Sequence, residues 1–98
     1  MFQIGLYTFR SGAKLLIGEK GSKLKLTEKE TAILRFLFRA GQKVVGRDLL
    51  LAEVWGYNTS VTTHTLETHI YRLRQKIEAN PSRPRILVTE PDGYRLLP

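Results

Sequence analysis

Two histidines and a scatter of serines are present in this chain, and cysteine is absent. A hydrolytic site needs a nucleophile, a base and an orienting group held together, and no G-x-S-x-G frames any serine. His64 and His69 stand five residues apart, about 140° around a helix turning about 100° per residue. Two metal ligands from one helix sit instead at i and i+4. No glycine-rich phosphate loop is present. The residues therefore point to no catalytic site, no metal and no cofactor.

The informative stretch is Thr62 to Asn80. Leu66, Ile70, Leu73 and Ile77 recur at i, i+4, i+7 and i+11 and make one narrow apolar stripe on a helix. The opposite face carries His64, Thr68, Tyr71, Arg72 and Gln75, while His69, Arg74 and Lys76 flank the stripe. One side fits a core. The other presents hydrogen-bonding groups and positive charge over several turns. That combination suits a helix lying in the major groove of DNA. There an arginine pairs with guanine, and hydroxyls or methyls meet other base edges. Arg72 lies on the outward half, with Thr68 and His64 one and two turns before it. The competing reading is a solvated amphipathic helix, with Arg74 pairing to Glu78 at i, i+4, an interaction of little energetic weight.

The elements that must position this helix are legible in outline. Residues 2–26 read as three or four short antiparallel strands. Phe2, Ile4, Leu6 and Tyr7 fall in one run, and Ser11-Gly12 and Lys20-Gly21-Ser22 signal turns. Thr27-x-x-Glu30 is a capping box opening a first helix, whose apolar face is Ile33, Leu34, Leu37 and Phe38. Gly41 closes it. Lys43-Val44-Val45 reads as an extended link, and a second helix runs from Arg47 to Trp55, ended by Gly56. Trp55 reads as a core or domain-edge residue. Thr62 or Thr63 is placed to cap the third helix, and Asn80-Pro81 to end it. Arg85 to Thr89 and Tyr94 to Leu96 then flank Glu90-Pro91-Asp92-Gly93 as a hairpin turn.

The expected fold is α+β: a winged helix-turn-helix with an N-terminal antiparallel sheet, three helices and a C-terminal hairpin wing. Length supports one domain, divided into a platform at 1–26, a helical core at 27–80 and a wing at 81–98. The formal net charge is +7, from 16 Lys+Arg against 9 Asp+Glu. A basic domain of this size suggests an anionic partner, nucleic acid first. The charge is spread along the chain, so any patch must be assembled by folding. No apolar run is long enough to cross a membrane, and the lack of cysteine is compatible with a cytoplasmic home.

At His64-Thr-Leu-Glu-Thr-His-Ile-Tyr-Arg-Leu-Arg-Gln-Lys-Ile77 the chain resembles the C-terminal effector domain of OmpR/PhoB-type response regulators, transcription factors of bacterial two-component systems. The resemblance continues in Leu26-Thr27-x-x-Glu30, in Arg47-x-Leu49-Leu50 through Val54-Trp55-Gly56, and in Gly93-Tyr94-Arg95. It covers essentially the whole chain. It implies a four-stranded platform, a base-reading role for Arg72, and backbone-contacting or bracing roles for His69 and Arg74. The resulting DNA-contacting set is His64, Thr65, Thr68, His69, Tyr71, Arg72, Arg74, Gln75 and Lys76, with Thr89 and Arg95 from the wing.

The resemblance also assigns Trp55, Gly56, Tyr57, Asn58, Thr59, Ser60 and Val61 to a loop that contacts RNA polymerase. It implies head-to-tail dimers on tandem direct repeats of double-stranded DNA, and a receiver domain and sensor kinase as further partners. The chain is too short to hold that receiver; it is expected to be either an excised effector domain or a stand-alone one, with excision favoured since the sheet begins almost at Met1. Two departures stand out. His64 replaces a common arginine, which makes any phosphate contact there pH-dependent. The hairpin tip carries Glu90 and Asp92 in place of a groove-entering arginine. Two other functions compete with DNA reading. A protein-docking module would use the third helix or residues 55–61. RNA binding ranks last, because Tyr71 is the lone aromatic on the outward face of the third helix.

Overall fold

Thr27 marks the point where the chain changes from strand to helix. Its hydroxyl accepts from the Glu30 N–H at 3.1 Å and the Glu30 carboxylate accepts from the Thr27 N–H at 2.8 Å. This reciprocal capping satisfies two N-terminal donors and starts α1, Glu28–Arg39. The computed structural model describes residues 2–56 and 60–98.

Before α1 lie β1 (Phe2–Ile4), β2 (Tyr7–Arg10), β3 (Leu15–Ile17) and β4 (Lys23–Lys25). They form one antiparallel sheet in sequence order. Phe2, Phe9, Leu16 and Leu24 pair across it in a single row. Phe9 and Leu16 in that row are fully buried, and Phe2 stacks on Phe38 of α1 with ring centroids 4.3 Å apart. The run from Phe2 to Tyr7 is not one strand. Gly5 takes a φ of +58° and turns the chain between β1 and β2, a conformation open to glycine at little cost.

After α1 come β5 (Val45–Gly46), α2 (Arg47–Trp55), α3 (Thr63–Ile77), β6 (Leu87–Glu90) and β7 (Gly93–Leu96). A second antiparallel sheet has the order β5-β7-β6. The segment expected as a link thus supplies a strand, because Val45 and Gly46 pair with Tyr94 and Gly93. That approach leaves no room at Gly93. A Cβ there would collide with the Val45 carbonyl. The hairpin begins at Leu87 rather than Arg85, and Glu90 pairs directly with Gly93, so only Pro91-Asp92 forms the turn.

The two sheets and three helices share one core of Ile4, Phe9, Leu16, Leu26, Ile33, Leu34, Leu37, Val45, Leu50, Val54, Leu66, Ile70, Leu73, Ile77, Leu87, Tyr94 and Leu96. All four stripe residues of α3 are in it, so hydrophobic burial sets which way α3 faces. α3 differs from expectation at both ends. Thr62 is its N-cap but makes no side-chain capping bond, and the helix stops at Ile77, three residues before Asn80. Glu78 has already turned extended, with φ −89° and ψ 140°, because its carboxylate is taken up by the backbone leading into β6.

Candidate nucleic-acid interface

With the stripe buried, His64, Tyr71, Arg72 and Gln75 are exposed on the far side of α3, and Thr68 is half-buried between them. Tyr71 is 64% exposed. The Thr68 hydroxyl donates to the His64 carbonyl at 3.0 Å, a local bond that leaves its oxygen able to accept. This row can meet base edges across several turns. It carries one fixed positive charge, on Arg72.

The flanks of α3 are not free in the same way. On one side His69 and Lys76 bind the helical core. His69 Nδ1 lies 2.8 Å from the Thr65 carbonyl, and since a carbonyl only accepts, that nitrogen carries the proton. The His69 ring meets Trp55 edge to face at 5.0 Å, an arrangement favoured by the ring quadrupoles. Lys29 donates to the Val54 carbonyl at 3.1 Å and sits 5.9 Å from the Trp55 ring. Lys76 Nζ donates to Glu30 Oε1 at 2.7 Å and to the Lys25 carbonyl at 3.1 Å. Glu30 is buried. Burial by itself opposes its ionisation, yet the hydrogen bonds from Lys76 and Thr27 outweigh that and hold its pKa below the usual carboxylate value.

On the other flank Arg74 turns to the wing. Its Nε donates to the Leu87 carbonyl at 2.9 Å and its terminal nitrogen to the Thr89 hydroxyl at 2.8 Å. Burial pushes the Arg74 pKa down, with Tyr94 and Glu78 opposing. Arginine stays charged regardless. The Arg74–Glu78 ion pair of the competing solvated-helix reading is not formed. Glu78 instead accepts from the Arg85, Ile86 and Leu87 N–H groups. Three backbone donors satisfy a carboxylate better than one flexible partner on its own helix.

One of the two acidic groups of the wing tip, Glu90, is paired within the protein. Arg95 meets Glu90 at 2.6 Å. The Arg47 guanidinium reaches the Pro91 and Glu90 carbonyls at 3.4 and 3.5 Å and lies 5.2 Å from the Tyr94 ring. Thr89 and Arg95, the two wing candidates, are therefore both engaged within the protein. Asp92 remains exposed at the turn.

Thr65 is half-buried beneath the row. Of the loop assigned to polymerase, Trp55 packs on α3, Gly56 and Ser60 are exposed and Val61 is half-buried. Tyr57, Asn58 and Thr59 lie outside the described residues. Sequence reasoning missed Glu30, Glu78 and Arg47 as positioning groups. Only Glu30 had a sequence signal, its capping-box spacing. Among the described residues no three His, Asp or Glu side chains cluster as metal ligands, and no helix is long and apolar enough to cross a membrane.

Residues 21–96 match the family described as transcriptional regulatory protein, C terminal. The alkaline phosphatase synthesis transcriptional regulatory protein SphR of Synechococcus elongatus is 39% identical over 93 residues, covering 94% of this chain and 35% of that protein. The transcriptional regulatory protein KdpE of Mycobacterium tuberculosis is 41% identical over 86 residues, covering 87% of this chain and 37% of that protein. The DNA-binding domain of E. coli CadC superposes with a TM-score of 0.83 at 25% identity, over 97% of this chain and 89% of that one. The chain spans about a third of the length of these curated relatives.

Proposed function

Because the chain belongs to the C-terminal family of transcriptional regulatory proteins, the OmpR/PhoB-type effector domains, we propose that it binds double-stranded DNA sequence-specifically and regulates transcription. One observation carries the reading. The face of α3 opposite the buried stripe is exposed, polar and unused by the fold, while both flanks are tied down. A helix held on both sides and open on the third can enter a major groove without reorganising, which lowers the cost of binding.

In this reading Arg72 reads a base, with His64, Thr68, Tyr71 and Gln75 contacting neighbouring bases or phosphates. His69, Arg74 and Lys76 position the helix. The protein performs no catalysis and needs no cofactor. As the effector part of a two-component response regulator, it acts in the bacterial cytoplasm beside a receiver domain answering to a sensor kinase. It binds tandem direct repeats as a head-to-tail pair, with half-sites about one helical turn apart, and residues 55–61 offer a surface to RNA polymerase.

The test is selection of bound duplexes from a random DNA pool. Enrichment of spaced direct repeats is the expected result. A protein-docking module would instead bind no duplex at low salt while forming a stable complex with a polymerase or receiver surface, and that outcome would overturn the proposal.

A further inference from the structure

Leu87 opens β6, an outer strand of the wing sheet. The Leu97 N–H donates to the Ile86 carbonyl at 2.6 Å. Alternation of an antiparallel ladder then turns the N–H and C=O of Leu87 away from β7. Leu87 is fully buried, so water cannot serve these edge groups, and unpaired they would be costly.

The end of α3 supplies the missing partner. Glu78 takes the Leu87 N–H at 2.7 Å, together with those of Ile86 at 3.0 Å and Arg85 at 2.8 Å. Arg74, one turn earlier, takes the Leu87 carbonyl at 2.9 Å. Both polar groups of one wing residue are thus held by two charged side chains, Arg74 in the last turns of α3 and Glu78 just past its end. Charge-assisted bonds of this kind are short and directional. They specify an angle between wing and helix, which apolar packing alone leaves looser.

We propose that Glu78 is a positioning residue for duplex recognition: acting with Arg74 on Leu87, it sets the angle of the wing to α3 and so the length of duplex the domain covers. This rests on the DNA-binding reading above. Glu78 itself touches no DNA. It works through the backbone of residues 85–87, and its partner Arg74 becomes a wing-holding group rather than a phosphate contact.

The experiment compares the wild-type chain with Glu78→Gln and Glu78→Ala. Amide hydrogen exchange at Ile86 and Leu87 is measured first, then hydroxyl-radical footprints on a selected duplex, long and trimmed to the base pairs under α3. Glutamine keeps one acceptor oxygen on the same stem, so it stays folded where alanine does not. The expected result is faster exchange at Ile86 and Leu87 and lost protection on the wing side. The affinity advantage of the long duplex over the trimmed one should fall several-fold, while base preference under α3 is unchanged.

Wild-type exchange and wild-type wing-side protection in folded Glu78→Gln would overturn the proposal. So would a uniform loss under α3 and wing together, since that marks a merely structural role. If the wild-type chain selects no duplex, the DNA-binding reading fails by itself. The clamp is then decided by exchange alone: faster amides in Glu78→Gln support it, and unchanged amides refute it.

Discussion

Lys76 Nζ lies 2.7 Å from Glu30 Oε1, joining the last turn of α3 to the first turn of α1. Glu30 is buried and is also the carboxylate of the α1 capping box. One side chain therefore serves both the start of α1 and the docking of α3, and Lys76 already has two partners within the protein.

Stability should follow the titration of Glu30. Its folded pKa is depressed, so its stabilising contribution is fully present above the unfolded carboxylate value of about 4.3. It is lost as pH falls through the lower folded value. Glu30→Gln should cost about 1–3 kcal/mol at pH 7. Urea unfolding of both proteins between pH 7 and pH 3 checks this, and the gap should narrow only below about 4.3. A gap that stays constant down to pH 3 would show that the charge on Glu30 is immaterial.

Lys76→Ala should lower stability yet leave the salt dependence of DNA binding unchanged. Each neutralised phosphate contributes about −0.9 to the slope of log K against log salt. A slope shallower by about that amount in Lys76→Ala would return Lys76 to the phosphate-contacting set.

Arg72→Ala should cost about 1–3 kcal/mol on the preferred duplex and relax preference at one base pair. Titrations against duplexes substituted at each position read this directly. Equal weakening on every sequence would make Arg72 a phosphate contact.

Gly93→Ala should destabilise the fold by about 2 kcal/mol or more. A methyl there meets the Val45 carbonyl oxygen, with its carbon at 2.8 Å, and the residue holds φ +156°. Thermal unfolding measures the loss. A midpoint equal to that of the wild type would mean the β5–β7 pairing is not as close as described.

His69→Leu should keep the helix but loosen its contact with α2, at a cost of about 0.5–1.5 kcal/mol for the lost ring pair. Trp55 is the one tryptophan in the chain, so the emission comes from the ring that meets His69. An unchanged spectrum and unfolding midpoint would place the His69–Trp55 packing among the incidental contacts.

The sequence by itself determined the faces. Leu66, Ile70, Leu73 and Ile77 all reached the core, Thr27 and Glu30 formed their capping box, and the Pro91-Asp92 turn closed a hairpin. These features depend on spacing within one element, and spacing is written in the chain. Tertiary structure alone decided the partners. Lys76 finds Glu30 across 46 residues, Val45 pairs with Tyr94, and Glu78 leaves Arg74 for three backbone donors beyond a proline-rich bend. A charged side chain bonds to whatever packing brings within about 3 Å. That distance exists only once the helices and the wing have buried their apolar faces together.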